Sequence, residues 1–170
     1  MNLLLLLACT GYKPVDPESE VCESCGGDCL SEVLPESTRN HTSDPVDYAD
    51  RPPTNGDHAG CWAAWGNHSE EVPDENWVHN LEHGAVVFLW NCPEGCDAEV
   101  TELVTWAETL PTGRWIVTPY SLMDWPFAAV SWSHRLLLGC FDLPAMQAFY
   151  EDNVGHAPED SLSDPDEGCM

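Results

Sequence analysis

The most constraining feature of this sequence is an unbroken apolar run, residues 85–90, that directly follows a group of polar side chains. The run reads AVVFLW and is rich in β-branched and aromatic residues. It is much shorter than the roughly 20 apolar residues that a membrane-spanning helix needs. The pattern therefore predicts a buried central strand. A site placed just ahead of this strand would be held by a well-packed part of the protein.

The polar group ahead of the run contains His79, Glu82 and His83. On a helical turn, residues four apart have Cβ atoms about 5–6 Å apart, so both imidazoles can reach one ion. In a strand the same residues would stand about 13 Å apart. A shared metal site therefore requires a helical turn before Gly84. Glu82 is either a further ligand or an acceptor that holds an imidazole in one tautomer.

A third histidine, His58, follows a tight turn of sequence PPTNGDH and can approach from the other side. Three imidazoles, or two with the thioether of Met123, suit copper, whereas three imidazoles and water suit zinc. We predict His58, His79 and His83 as the main ligands. Met123 and Glu82 support them, and the cofactor is copper or zinc, with copper favoured.

Two other interpretations of the histidines stay open. They can be hydrogen-bonded structural residues of a non-catalytic, disulfide-stabilised interaction module. The sequence HNLEH also matches the inverted zinc-peptidase motif, with Glu82 as the general base. That motif needs a sustained helix and a third ligand from a later helix, so a zinc-dependent hydrolase is less favoured than a non-catalytic role. The other histidines lack clustered partners, and we predict no ligand role for them: His41, His68, His134 and His156.

The charge of the chain excludes one class of partner. Lys and Arg number 5 against 30 Asp and Glu, for a net charge of −25. Phosphate contacts need clustered basic residues, so nucleic-acid binding is not expected. The same deficit disfavours electrostatic docking on anionic lipid.

The N-terminus and the nine cysteines indicate export. Five leucines followed by Ala8 and Cys9 resemble a bacterial lipoprotein signal, although the segment lacks a basic start and its apolar core is short. Cleavage would leave Cys9 as a lipidated anchor in the periplasm or cell envelope. Eight cysteines would remain, enough for four structural disulfides. Metal or redox use of the first cluster is the alternative. Cys92 and Cys96 flank a Pro-Gly turn and form the one predicted local pair; the other disulfide candidates are Cys22, Cys25, Cys29, Cys61 and Cys140.

The chain divides into a signal (1–9), a tether (10–20), a cysteine-rich segment (21–50), one domain (51–158) and an acidic tail (159–170). Helical spacing is found at 97–110 and 143–153, and strands are predicted at 115–120 and 127–132. Residues 134–139 are a strand or a helix, residues 46–49 a short strand, and residues 70–76 a loop. We therefore predict an α+β fold: a small mixed or antiparallel sheet with helices on one face, after a long, irregular, disulfide-stapled N-terminal half.

Two motifs, PPTNGDH at 52–58 and VHNLEHG at 78–84, resemble a family of exported bacterial proteins that is catalogued as a domain of unknown function. Members are similar to PPTSG-x-H followed by a short acidic loop and VH-x-LEHG. Asn55 stands where Ser is usual. The similarity covers roughly residues 51–158. It implies secretion or membrane anchoring and supplies no activity.

Overall fold

The computed structural model describes residues 25–159, which form eight strands and three helices. The strands are β1 (Cys29–Val33), β2 (His41–Thr42), β3 (His58–Ala59), β4 (Gly66–Asn67), β5 (Val86–Trp90), β6 (Trp115–Pro119), β7 (Phe127–Ser131) and β8 (His134–Leu138). The helices are α1 (Asp74–Glu82), α2 (Asp97–Ala107) and α3 (Leu143–Asn153). Six strands form a mixed sheet in the order β1-β8-β7-β5-β6-β4, and β2 pairs with β3 separately.

Strand β5 lies inside the sheet, as its apolar sequence predicts. It runs parallel to β6 and antiparallel to β7. Successive side chains of a strand point to opposite faces. Val86 and Phe88 pack on one face, whereas Val87 and Leu89 pack on the other, and all four are fully buried. Both faces of the sheet must therefore be covered.

The two predicted helices, α2 and α3, share one face of the sheet, as predicted, and α1, which was predicted only as a helical turn, covers the other face. Helices α2 and α3 contribute Leu103 and Phe149 to the core on the Phe88 side. Helix α1 contributes Trp77 and Leu81 to the core on the other side. The α+β class and the mixed sheet are confirmed. The placement of α1 was missed because the apolar run in β5 does not show which elements cover each side.

Two local predictions also differ from the structure. Helix α1 begins at Asp74, inside the predicted loop, where Pro73 precedes two acidic residues of the first turn. Acidic side chains are favourable there because they face the positive end of the helix dipole. Residues 46–49 are not a strand; the Val46 amide instead donates to Oε1 of Glu75 at 2.9 Å. For residues 134–139 the sequence left a strand and a helix open, and the structure shows strand β8 at 134–138.

A disulfide joins the irregular N-terminal half to the segment that follows β8, in agreement with the predicted disulfide-stapled half. Cys25 is bonded to Cys140, and Cys92 to Cys96 across the Pro-Gly turn. Cys29 and Cys61 are disulfide-bonded as well. Disulfides of this number are typical of an oxidising compartment.

Several predictions concern residues beyond 25–159. The signal, the tether, Cys9, Cys22 and the acidic tail after Glu159 lie outside the described residues. Among the residues that the structure describes, no helix has the length and apolar character needed to cross a membrane.

Candidate metal centre

Helix α1 carries the histidine pair because its opposite side is anchored in the core. Trp77, Val78 and Leu81 are fully buried, so the helix cannot rotate without exposing them. His79 and Glu82 are themselves only 3% and 2% exposed. Gly84 then adopts φ +85°, a left-handed conformation that glycine accepts without strain. The chain can thus leave the helix and enter β5 within three residues.

The segment around His58 is fixed by a pair of polar side chains. Oδ1 of Asp57 accepts from the Asn40 amide at 2.8 Å and from Asn40 Nδ2 at 3.0 Å. These hydrogen bonds lower the pKa of Asp57, with the backbone bond from Asn40 the main cause. The His58 amide donates to the Asn40 carbonyl at 3.1 Å. As a result β2 and β3 pair in parallel with His41 opposite His58.

Four side chains converge between this strand pair and α1. His41, His58, His79 and Glu82 each offer one ligand atom, and these atoms all lie within 4.8 Å of one another. The ring centroids of His41, His58 and His79 are 4.8–5.1 Å apart. We call these four residues the histidine centre. In a tetrahedral site with bonds of about 2.1 Å, neighbouring ligand atoms are about 3.4 Å apart. A bound ion would therefore draw the most widely separated ligand atoms together by at most about 1.4 Å.

His58 is oriented as a metal ligand would be. Its Nδ1 lies 2.8 Å from the Gly56 carbonyl, and because a carbonyl only accepts, Nδ1 carries the proton. Nε2 lies 3.0 Å from Oε2 of Glu82, but the two atoms do not have the geometry of a hydrogen bond. Nε2 has no other hydrogen-bond partner among the described residues. The fully buried Nε2 is thus left without a hydrogen-bond partner among the described residues, beside a buried carboxylate. A cation bound by both groups would supply that partner.

His79 is kept neutral by its surroundings. Burial is the main cause that lowers its pKa to about 3, followed by the neighbouring His58, His83 and His41. Its Nδ1 is buried and has no hydrogen bond of normal geometry among the described residues, and the Ala59 backbone only slightly favours the charged form. A buried polar atom without a partner is costly. A metal ion would supply one, since metals bind the neutral imidazole.

The low pKa of His79 predicts acid destabilisation of the metal-free protein. Above pH 6.5 the side chain is neutral in both folded and unfolded chains, so it adds no pH dependence. Between pH 6.5 and about 3, His79 binds a proton in the unfolded chain but not in the folded chain. Stability should fall there by up to about 1.4 kcal/mol per pH unit. Urea unfolding in EDTA at several pH values measures this slope. His79→Gln should flatten it, and an identical slope in the variant would contradict the assignment.

His83 lies beside the histidine centre rather than in it. Its Nε2 is 3.1 Å from Nε2 of His79, so the predicted helical turn does bring the pair together. Burial lowers the pKa of His83, and the carboxylates of Glu159 and Glu82 oppose this. Its ligand atoms group with Glu82 and Glu159, not with His58.

An indole covers the histidine pair. The Trp62 ring lies 5.3 Å from that of His79 and 5.2 Å from that of His83. Asn80 fixes the loop that carries this indole, because its amide exchanges two hydrogen bonds with the backbone of Ala63, at 2.8 and 3.1 Å. Trp62 thus contacts the histidine centre at His79 and also contacts the adjacent His83.

Met123 is placed away from the histidines. Its carbonyl accepts from Asn91 Nδ2, and Asn91 directly follows the carboxyl end of β5. The histidine pair lies near the amino end of the same strand. We therefore leave Met123 out of the ligand set that we consider below. His68, His134 and His156 are outside both ligand groups of the described residues.

His41 was missed by the sequence analysis, which treated it as an ordinary histidine. The only signal was local: His41 and His58 each follow an Asx residue, in NHT and DHA. Such short patterns are common in turn-rich segments. The pairing of β2 with β3 brings the two histidines together. Each of these strands has only two residues, which is too short to show a periodic pattern in the sequence.

Comparison with known proteins agrees with the resemblance seen in the motifs. The chain matches the family model described as a protein of unknown function, DUF3105, over residues 40–166. The chain belongs to this family. All four residues of the histidine centre lie within the stretch that DUF3105 covers, whereas Cys25 and Cys29 precede it. No curated protein and no solved structure matches the chain.

Proposed function

We propose that this DUF3105 protein binds a divalent transition-metal ion through His41, His58, His79 and Glu82. The observation that carries the proposal is the orientation of His58. A backbone carbonyl holds the proton on Nδ1, and the buried Nε2 faces a carboxylate without a hydrogen bond. Ligating histidines usually donate the N–H of their second ring nitrogen to a carbonyl or carboxylate in this way.

The donor set favours copper(II) or zinc. Imidazole suits both ions, and three imidazoles with one carboxylate complete a four-coordinate site. With the Met123 thioether left out of the ligand set, the case for copper rests on the imidazoles alone. In the general order of affinities copper(II) binds more tightly than zinc. We therefore expect copper(II) to bind more tightly than zinc.

A competition titration tests the proposal. The whole chain, stripped with EDTA, is titrated with copper(II) and with zinc against a chelator of known affinity. We expect one tight equivalent, and a thermal stabilisation that EDTA reverses. At a free metal concentration of 1,000 times Kd the gain is about 4 kcal/mol. If His58→Gln/His79→Gln binds both ions as tightly as the natural chain, the proposal fails.

The same titration separates metal binding from the interaction-module alternative. If the histidines are purely structural, the double variant loses stability in EDTA as well, and the natural chain gains none from metal. If the histidines bind metal, the natural chain and the variant differ mainly when metal is present.

We also propose that the protein is exported and anchored to the membrane through lipidated Cys9. The disulfides support an oxidising compartment, and the leucine-rich start with Cys9 supports lipidation. Stable anchoring needs more than one acyl chain, which lipidation at an N-terminal cysteine can supply. Cys9→Ala should move the protein from the membrane fraction to the soluble fraction, whereas Thr10→Ala should not. Retention of the Cys9→Ala protein on membranes would contradict the proposal.

A further inference from the structure

A second group of ligand atoms adjoins the histidine centre. Glu82, His83 and Glu159 each offer one atom, and these atoms lie within 4.8 Å of one another. Exposure increases across the group: Glu82 is buried, His83 is half-buried and Glu159 is exposed. The group therefore extends from the buried centre to the surface.

The backbone holds Glu159 at the end of α1. After helix α3 the chain returns, and the Gly155 amide donates to the Gly84 carbonyl at 2.9 Å. The Glu159 amide then donates to the Glu82 carbonyl at 3.1 Å. On the other side, Nη1 of Arg114 donates to the His83 carbonyl at 3.2 Å. The three ligand side chains thus extend from backbone that is fixed on both sides.

Glu82 belongs to both groups and its carboxylate has two oxygens. Oε2 faces His58 of the histidine centre. Oε1 lies 3.9 Å from Nη1 of Arg39, whose side chain is half exposed. A carboxylate that bridges two ions places them about 3.5–4 Å apart. The Nε2 atoms of His79 and His83 are 3.1 Å apart, so the two groups are adjacent on this side as well as at Glu82.

We propose that Glu82, His83 and Glu159 bind a second divalent ion, with the Glu82 carboxylate shared between the two ions. The proposal rests on the proposed function, because Glu82 is also a ligand of the first ion. Two carboxylates and one imidazole form an incomplete, partly exposed set that leaves positions for water, so this ion binds more weakly than the first. The net charge of −25 favours the accumulation of divalent cations around the protein.

Zinc stoichiometry tests the second site. The EDTA-stripped whole chain is titrated with zinc by calorimetry in excess Mg²⁺, which occupies the nonspecific acidic surface. Zinc per chain is then measured after gel filtration. We expect two classes of sites in the natural chain. Glu159→Gln should weaken the second class at least about 10-fold and leave the first unchanged. The matched control is Glu151→Gln, an exposed carboxylate on α3, which should retain both classes.

The other outcomes are separable. One zinc per chain in the natural protein, with Glu159→Gln unchanged, overturns the second site and leaves the first standing. Two zinc ions of unchanged affinity in Glu159→Gln overturn the ligand assignment. No zinc bound above the level of the His58→Gln/His79→Gln variant overturns both proposals.

Discussion

His58→Gln should lower the affinity for copper(II) and zinc by at least about 100-fold. Loss of residues that merely orient metal ligands already costs about 10–100-fold, and His58 is itself a proposed ligand. Its ring is fully buried and fixed by the Gly56 carbonyl, so no exposed side chain can take its place without rearrangement. The measurement is a chelator competition for each ion.

His134→Gln is the matched control for His58→Gln. His134 also directs Nδ1 at a backbone carbonyl, that of Trp132, at 2.9 Å, but it lies outside both ligand groups. Its replacement should leave metal affinity within about 3-fold. Thermal unfolding in EDTA must show that both variants are folded. A folded His58→Gln protein with natural affinity would contradict the assignment of His58.

Trp77→Ala should destabilise the protein by about 3–5 kcal/mol, the usual cost of removing a large aromatic side chain from a core. Trp77 is fully buried in α1 and meets the Tyr120 ring edge-on, with centroids 5.9 Å apart. The cavity would loosen the helix that carries His79, so metal affinity should fall as well. Urea unfolding in EDTA measures the first effect and the chelator competition measures the second.

Trp77→Phe separates volume from polarity in the same position. The Trp77 Nε1 atom has no hydrogen-bond partner among the described residues, so losing its N–H removes no favourable contact. The remaining ring still fills most of the space, and we expect a much smaller loss of stability than for alanine. If phenylalanine costs as much as alanine, the packing explanation is wrong.

The sequence predicted the parts of the fold that depend on local pattern. The apolar run of β5, the helical spacing of α2 and the proline in the first turn of α3 each specify their element from neighbouring residues. The side of the sheet on which α1 packs depends on contacts between residues distant in the chain. Local periodicity carries no information about that choice.

The candidate site was likewise predicted where it depends on local spacing and missed where it depends on contacts between distant residues. The spacing of His79 and His83 correctly predicted a helical turn that brings the two imidazoles together. The grouping of His41 with His58 depends on the two-residue pairing of β2 and β3 and on the Asn40–Asp57 hydrogen bonds. These contacts are non-local and leave only a short Asx-His pattern. Met123 was favoured on chemistry alone, and chemistry does not show at which end of β5 a residue lies.

The most direct test of the central claim is a crystal structure of the protein loaded with one equivalent of zinc, with anomalous data collected at the zinc edge. We predict one strong peak with a nitrogen of His41, of His58 and of His79 each at about 2.0–2.1 Å and an oxygen of Glu82 at about 2.0–2.2 Å. A fully loaded crystal with zinc elsewhere, and with the histidine centre unchanged from the arrangement described above, would contradict the account.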